Sequence, residues 1–314
     1  MKTPITTTAA LLLASTAMAD IETRTITFQN AGATLSGTLY LPEERSGDPL
    51  PVVVVTGAWT SVEEQMPRTY AAEMAERGFA AFTFDFRGWG KSGDLPHAVR
   101  FKEDPQAKIS DLRAAFATVA GLPEIDPARI HGLGICASAG YMLDAAAGNA
   151  LVNRVGLVAP WLHNAEIAAS VYGGAEGVAD LIDVSRAAEA QGGQIIPAAG
   201  PEGAEGVLMP IGGYYHEPSR GAVPEYDNQW NQASWEGWLT YAPADRGAVF
   251  DKPLAMVHSE AAAIPQGVRA FAEGLAEPAT LQWLEDVTQF DFYDNPEDVT
   301  RAADTVAAHF RAAN

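Results

Sequence analysis

The chain has 314 residues, 47% of them hydrophobic, with 12 Phe and 7 Trp. That suits one α/β domain with an insertion, or two small domains, and is not the composition of a disordered chain. The formal net charge of −20 excludes nucleic acid as an expected partner, because phosphate binding needs clustered Lys and Arg.

Residues 1–19 read as a secretory signal peptide. Lys2 gives the charged start, Ala9 to Ala14 a short apolar core, and Ala17-Met18-Ala19 a small-x-small cleavage site before Asp20. The apolar core is too short to cross a bilayer, and no later run approaches that length. A mature protein of residues 20–314, periplasmic or secreted and with no membrane span, is the expectation. Residues 24–28 and 33–41 alternate apolar and polar around Asn30-Ala31-Gly32, which predicts an antiparallel hairpin. Pro51 to Gly57 is a run of β-branched residues, as in a strand buried on both faces. A helix is predicted over 67–77 and a second buried strand over 79–84. Asp85-Phe86-Arg87-Gly88-Trp89-Gly90-Lys91-Ser92-Gly93 follows as a tight loop, in which Asp85 and Arg87 can pair. A helix over 110–120, with Ser110 as N-cap, leads through a Pro-rich turn to the central motif.

That motif runs from Ala128 to Tyr141, an apolar stretch ending in very small residues and followed by an Ala-rich helical segment. Strand, sharp turn and helix is the context of a nucleophile elbow, whose tip is strained and whose neighbours must be small. Gly134-Ile135-Cys136-Ala137-Ser138 fits with Cys136 at the tip. Cys136-Ala137-Ser138-Ala139-Gly140 is the competing frame, with Ser138 there. The strand from Arg129 to Gly134 has about the length that places the turn on Cys136. Cys136 is also the only cysteine, so it forms no intrachain disulfide.

With its Gly-x-Cys-x-Ser centre, the chain resembles the dienelactone-hydrolase-like branch of the α/β-hydrolase superfamily, which uses a cysteine nucleophile. The Asp85–Gly93 loop is similar to the one that follows a central strand in many of these proteins. The resemblance implies a mostly parallel, doubly wound α/β sheet (the α/β-hydrolase fold) with an inserted cap. Strands at 154–159, 253–258 and 280–284, and helices at 265–275 and 296–313, complete that alternation. The cap is expected at about 161–246, a Gly-, Ala- and Pro-rich segment with helical pieces at 163–172 and 176–190. It carries four of the seven Trp: Trp161, Trp230, Trp235 and Trp238. Those aromatics either form the cap's own small core or in part line a pocket, and both can hold for different residues.

The resemblance also implies an acid after the strand that follows the cap, and a His after the last strand. Those places fall near Ala262 and on Gln289. Glutamine does not titrate, so it cannot be a general base. Gln289 is instead expected to point at the elbow as a hydrogen-bonding group. His163 at the start of the cap and His216 within it are the candidate bases. His216, with Tyr215 and Trp161, is also a candidate substrate contact. An oxyanion hole needs backbone N–H groups only. Ala137 would supply one, and Ala58 or Trp59 another. No metal-ligand spacing and no phosphate-binding glycine loop is present, so neither metal nor cofactor is expected. The reading is an exported hydrolase of a small-molecule ester, thioester or lactone acting through Cys136. The alternative is a non-catalytic protein on the same fold that holds a small apolar or aromatic carboxylate under the cap.

Overall fold

The structure is a computed structural model and describes residues 21–312. The signal-peptide reading of residues 1–19 lies outside the described residues.

The chain opens with β1 (Glu22–Asn30) and β2 (Ala33–Leu41), the hairpin the alternation predicts. Then come β3 (Leu50–Thr56), α1 (Met66–Glu76), β4 (Ala80–Phe84), α2 (Pro105–Ala120), β5 (Ile125–Ile135), α3 (Ser138–Ala146) and β6 (Val152–Val158). The insertion follows, with α4 (Ala165–Val171), α5 (Gly174–Ala190), the short pair β7 (Ile195–Pro197) and β8 (Gln229–Asn231), and α6 (Trp235–Thr240). The sheet resumes with β9 (Leu254–Ser259), α7 (Pro265–Gly274) and β10 (Thr280–Leu284). It ends with α8 (Asp291–Asp294) and α9 (Pro296–Arg311).

Eight strands form one sheet in the order β1-β2-β4-β3-β5-β6-β9-β10. β2 runs antiparallel to both neighbours, and from β4 onward every pairing is parallel. The crossover from β3 to β4 steps one way along the sheet and those from β4 to β5 and β5 to β6 step the other. Right-handed crossovers therefore put α1 on one face and α2 and α3 on the other. The contacts agree: α1 packs with α9, and α2 with α3. β3 and β4 are buried on both faces, which is why they read as unbroken apolar runs. The apolar stripe of α9, Val299, Ala302, Ala303, Val306 and Phe310, is buried as its periodicity predicts.

Two local expectations change. Helix α2 begins five residues before Ser110, with Pro105 in its first turn and the Asp104 carboxylate accepting from the Gln106 and Ala107 N–H groups. Arg87 pairs with Asp111 on α2, at 2.5–3.1 Å, rather than with Asp85. Asp85 instead accepts the backbone N–H groups of Glu63 and Lys91, at 2.7 and 2.8 Å. The strand order reverses at β3, and the carboxyl ends of β3 and β5 there are where ligands bind in open α/β sheets.

Candidate functional site

β5 ends at Ile135 and α3 begins at Ser138, so the chain must reverse within two residues. Cys136 takes the turn with φ +55°, the left-handed region that costs a non-glycine residue strain. The turn is possible because Gly134 has no side chain: a Cβ there would stand 2.8 Å from the Cα of Ala139. Ser138 is not at the tip. Its hydroxyl donates to the Ile135 carbonyl at 3.1 Å and accepts the Ile135 N–H at 3.3 Å, which closes the turn beneath Cys136. The Cys136 carbonyl accepts the Trp161 N–H at 2.9 Å and so ties the first cap residue to the elbow.

The Cys136 thiol is buried, and burial raises its pKa above the ordinary 9.0. Three donors act against that. The Tyr293 hydroxyl and the backbone N–H groups of Ala137 and Trp59 all hydrogen-bond Sγ and lower the pKa. Of the three proposed oxyanion donors, Trp59 and Ala137 are therefore at the sulfur and Ala58 is not. The Ala58 N–H is turned to the Met66 sulfur, at 3.5 Å.

Cys136 lies at a cavity of about 370 Å³. Trp59, Trp161, Tyr215, Trp238, Phe290 and Tyr293 contribute aromatic surface, and Ala261, Ala262 and Ala263 form part of the wall. Gln289 lines it too, with every hydrogen-bonding group of its amide engaged. Nε2 donates to the Ala159 carbonyl at 3.0 Å and to the Tyr293 hydroxyl at 2.9 Å, and Oε1 accepts the Ala263 N–H at 3.0 Å. Tyr293 is thus held between Gln289, Tyr215 and the thiol. The sequence reading missed it, although it follows Gln289 by one helical turn. Among the described residues, no Asp, Glu, His, Lys or Arg lines this cavity.

The two cap histidines fall elsewhere. His163 is buried behind Trp238: its ring lies 4.5 Å from that indole and its Nε2 is 2.9 Å from the Trp238 carbonyl. Burial lowers its pKa, and it is not among the cavity residues. His216 is exposed at the end of a single 3-10 turn, outside the cavity, while its neighbour Tyr215 turns inward. The cap aromatics serve both purposes. Trp161, Trp238 and Tyr215 face the cavity, and Trp230 and Trp235 pack on Trp59 from behind, at 4.5 and 5.9 Å.

The dienelactone hydrolase family model matches residues 35–169, from β2 through the elbow into α4. The alpha/beta hydrolase GrgF of Penicillium sp. sh18 superposes with a TM-score of 0.72 at 19% identity, over 93% of this chain and all of that one (100%). The chain has the α/β-hydrolase fold, and its segment 35–169 is similar to the dienelactone hydrolase family. A crystal structure of PA2218, a hypothetical protein of Pseudomonas aeruginosa, matches this α/β-hydrolase at a TM-score of 0.80 and 27% identity, covering 92% of this chain and 93% of that one. In sequence PA2218 is 41% identical over 138 residues, 44% of this chain and 36% of its own length. A thiohydrolase of Eupenicillium brefeldianum is 33% identical over 116 residues, 37% of this chain and 35% of its own. The alignments to these two curated relatives thus span about a third of their length.

Proposed function

We propose that this α/β-hydrolase cleaves thioesters and activated esters through Cys136. The observation that carries the proposal is the thiol on a left-handed turn at a cavity, with two backbone N–H groups, Ala137 and Trp59, directed at it. In the reaction the thiolate adds to the acyl carbon. The carbonyl oxygen takes the developing charge, and the two N–H groups receive it. The tetrahedral species expels the leaving group, and water then releases the acyl group from sulfur.

What the cavity lacks selects the substrate. With no titratable base at the thiol, nothing in the cavity takes its proton at neutral pH, and no His returns one to the leaving group. A thiolate or phenolate departs without that proton, and an alkoxide does not. Thioesters and aryl esters therefore fit better than alkyl esters or unstrained lactones. The thiohydrolase relative supports the thioester half of this reading. The apolar aromatic lining supports an uncharged acyl group. The other reading, a non-catalytic site for a carboxylate, is weakened because no cation lines the cavity to pair with one.

The test is hydrolysis of an aryl thioester, an aryl ester and the matching ethyl ester by purified protein and by Cys136→Ala. Expected is turnover of the first two only, abolished by the substitution. The rate should climb with pH into the alkaline range, since the thiolate fraction of a thiol with a raised pKa is still growing there. Equal rates for wild type and Cys136→Ala would end the proposal.

We further propose export, on the strength of Lys2, the short apolar run and Ala17-Met18-Ala19. N-terminal sequencing of the protein as its own cell accumulates it should begin at Asp20, and a retained Met1 would contradict export.

A further inference from the structure

A second group of chemically able side chains lies outside the Cys136 cavity. Glu63 and Glu64 sit on the loop between β3 and α1, the loop that carries the Trp59 N–H. Asp85 directly follows the neighbouring strand β4. One carboxylate oxygen from each of the three lies within 4.8 Å of the other two. Glu63 is only 3% exposed, and its Oε2 is buried with no hydrogen-bond partner. The Glu64 Oε2 is likewise buried and unpartnered. The Glu63 Oε1 has the Thr38 hydroxyl at 3.3 Å and Lys91 Nζ at 3.7 Å. Asp85 receives two backbone N–H groups, which leaves lone pairs on both oxygens.

The charges do not balance. Three carboxylates face one ammonium, that of Lys91, which pairs with Glu64 from a half-exposed side chain. Arg68 and the neutral phenol of Tyr40 are the other titratable groups nearby. An unpaired oxygen on a buried carboxylate is costly, because the group has left water without gaining a partner.

We propose that Glu63, Glu64 and Asp85 bind a hard divalent cation of the calcium, magnesium and manganese class, and that Lys91 lies over the site as its competitor. The donor set is all oxygen, as such ions require, with the Thr38 hydroxyl as a further oxygen beside Glu63. No sulfur or imidazole is in the group, so zinc and copper are not the ions it suits. Bound, the ion ties the loop that presents the Trp59 N–H to the strand end at Asp85. It therefore also stiffens one wall of the oxyanion hole. Neighbouring positions 63 and 64 meet position 85 only because β3 and β4 pair in parallel, which is why no ligand spacing is visible in the sequence.

The test is calorimetric titration of the full chain with calcium and, separately, with manganese, alongside thermal unfolding in each ion. Expected is one saturable site with a dissociation constant of about 10⁻⁴–10⁻³ M, typical of weakly charged extracellular sites. Lys91→Met should bind more tightly, since the competing ammonium is gone. Glu63→Gln should weaken binding by about tenfold or more. Glu64→Gln gives the same reading if Glu63→Gln fails to fold. Glu176→Gln, on exposed α5, serves as the control and should bind as wild type does. Absence of binding in both wild type and Lys91→Met overturns the proposal, as does unchanged affinity in Glu63→Gln and Glu64→Gln. Neither result bears on Cys136, whose chemistry is tested separately.

Discussion

Gln289 shares a cavity with Cys136, on the turn that follows the last strand. Its amide lines the same cavity and bonds Tyr293, which in turn bonds the sulfur. The sheet register made that placement readable: β10 ends at Leu284, as predicted, and the chain turns back over the carboxyl edge. Tyr293 was not readable, because Phe290 and Phe292 look like strand alternation. The segment is instead a turn of helix, α8, and that turn is what stacks Tyr293 over Gln289. An imidazole at this position would titrate near neutral pH and could take the thiol proton. Gln289→His should therefore raise aryl ester hydrolysis at neutral pH by about tenfold, less than the usual general-base gain because no acid orients the ring. Ala262 lines the cavity beside it, so adding Ala262→Asp should raise the rate further by holding the imidazolium. The comparison is of wild type, single and double variants on one aryl ester. If Gln289→His slows the reaction, the amide has a catalytic part that the present reading denies it.

At the scale of elements, the sheet was legible because buried parallel strands and amphipathic helices write their periods into the sequence. The cap was not. Its Gly- and Pro-broken segments carry no period that could say that Tyr215 turns inward while His216 stays exposed. Helix α2 shows a related limit, for its first turn holds the charged residue Lys108, fully buried. Lys108 Nζ donates to Glu103 at 2.6 Å and lies 4.7 and 5.0 Å from the Phe86 and Trp89 rings. The Tyr141 hydroxyl of α3 donates to the same Glu103 oxygen at 2.7 Å, and the Ser234 hydroxyl of the cap accepts the Glu103 N–H at 2.8 Å. One ion pair thus joins α2, α3 and the cap. Removing only its cation strands a buried carboxylate. Lys108→Met should cost about 3–5 kcal/mol, the usual penalty for breaking a buried pair from one side. Lys108→Met with Glu103→Gln should cost much less, because no charge is left behind. Urea unfolding of the three proteins decides it. A single variant as stable as wild type would mean that Glu103 is satisfied without Lys108.

For the molecule as a whole, two buried imidazoles tie stability to pH. His131, within β5, stacks on the Phe310 ring at 4.7 Å, and His258, near the end of β9, lies 5.3 Å from Trp283. Burial is the main cause that pushes their pKa values down, to about 3 for His131 and about 4 for His258. Arg154 adds to the effect at the first and Arg269 at the second. In the unfolded chain both return to about 6.5. Below that pH the unfolded state binds protons that the folded state refuses, so the stabilisation present above pH 6.5 is lost as pH falls towards 4 and then 3. At 1.36 kcal/mol per unit, each His removes about 2 kcal/mol between pH 6.5 and 5. Neutralising surface carboxylates works the other way, because it relieves the self-repulsion of a chain carrying −20. The His contribution is separated from that background by substitution. Unfolding free energies at pH 7 and pH 5 should differ by about 2 kcal/mol less in His258→Asn than in wild type, whatever the variant loses at pH 7 itself. A His258→Asn protein with the wild-type difference would show that His258 takes up its proton as readily folded as unfolded, and the buried neutral ring would then be wrong.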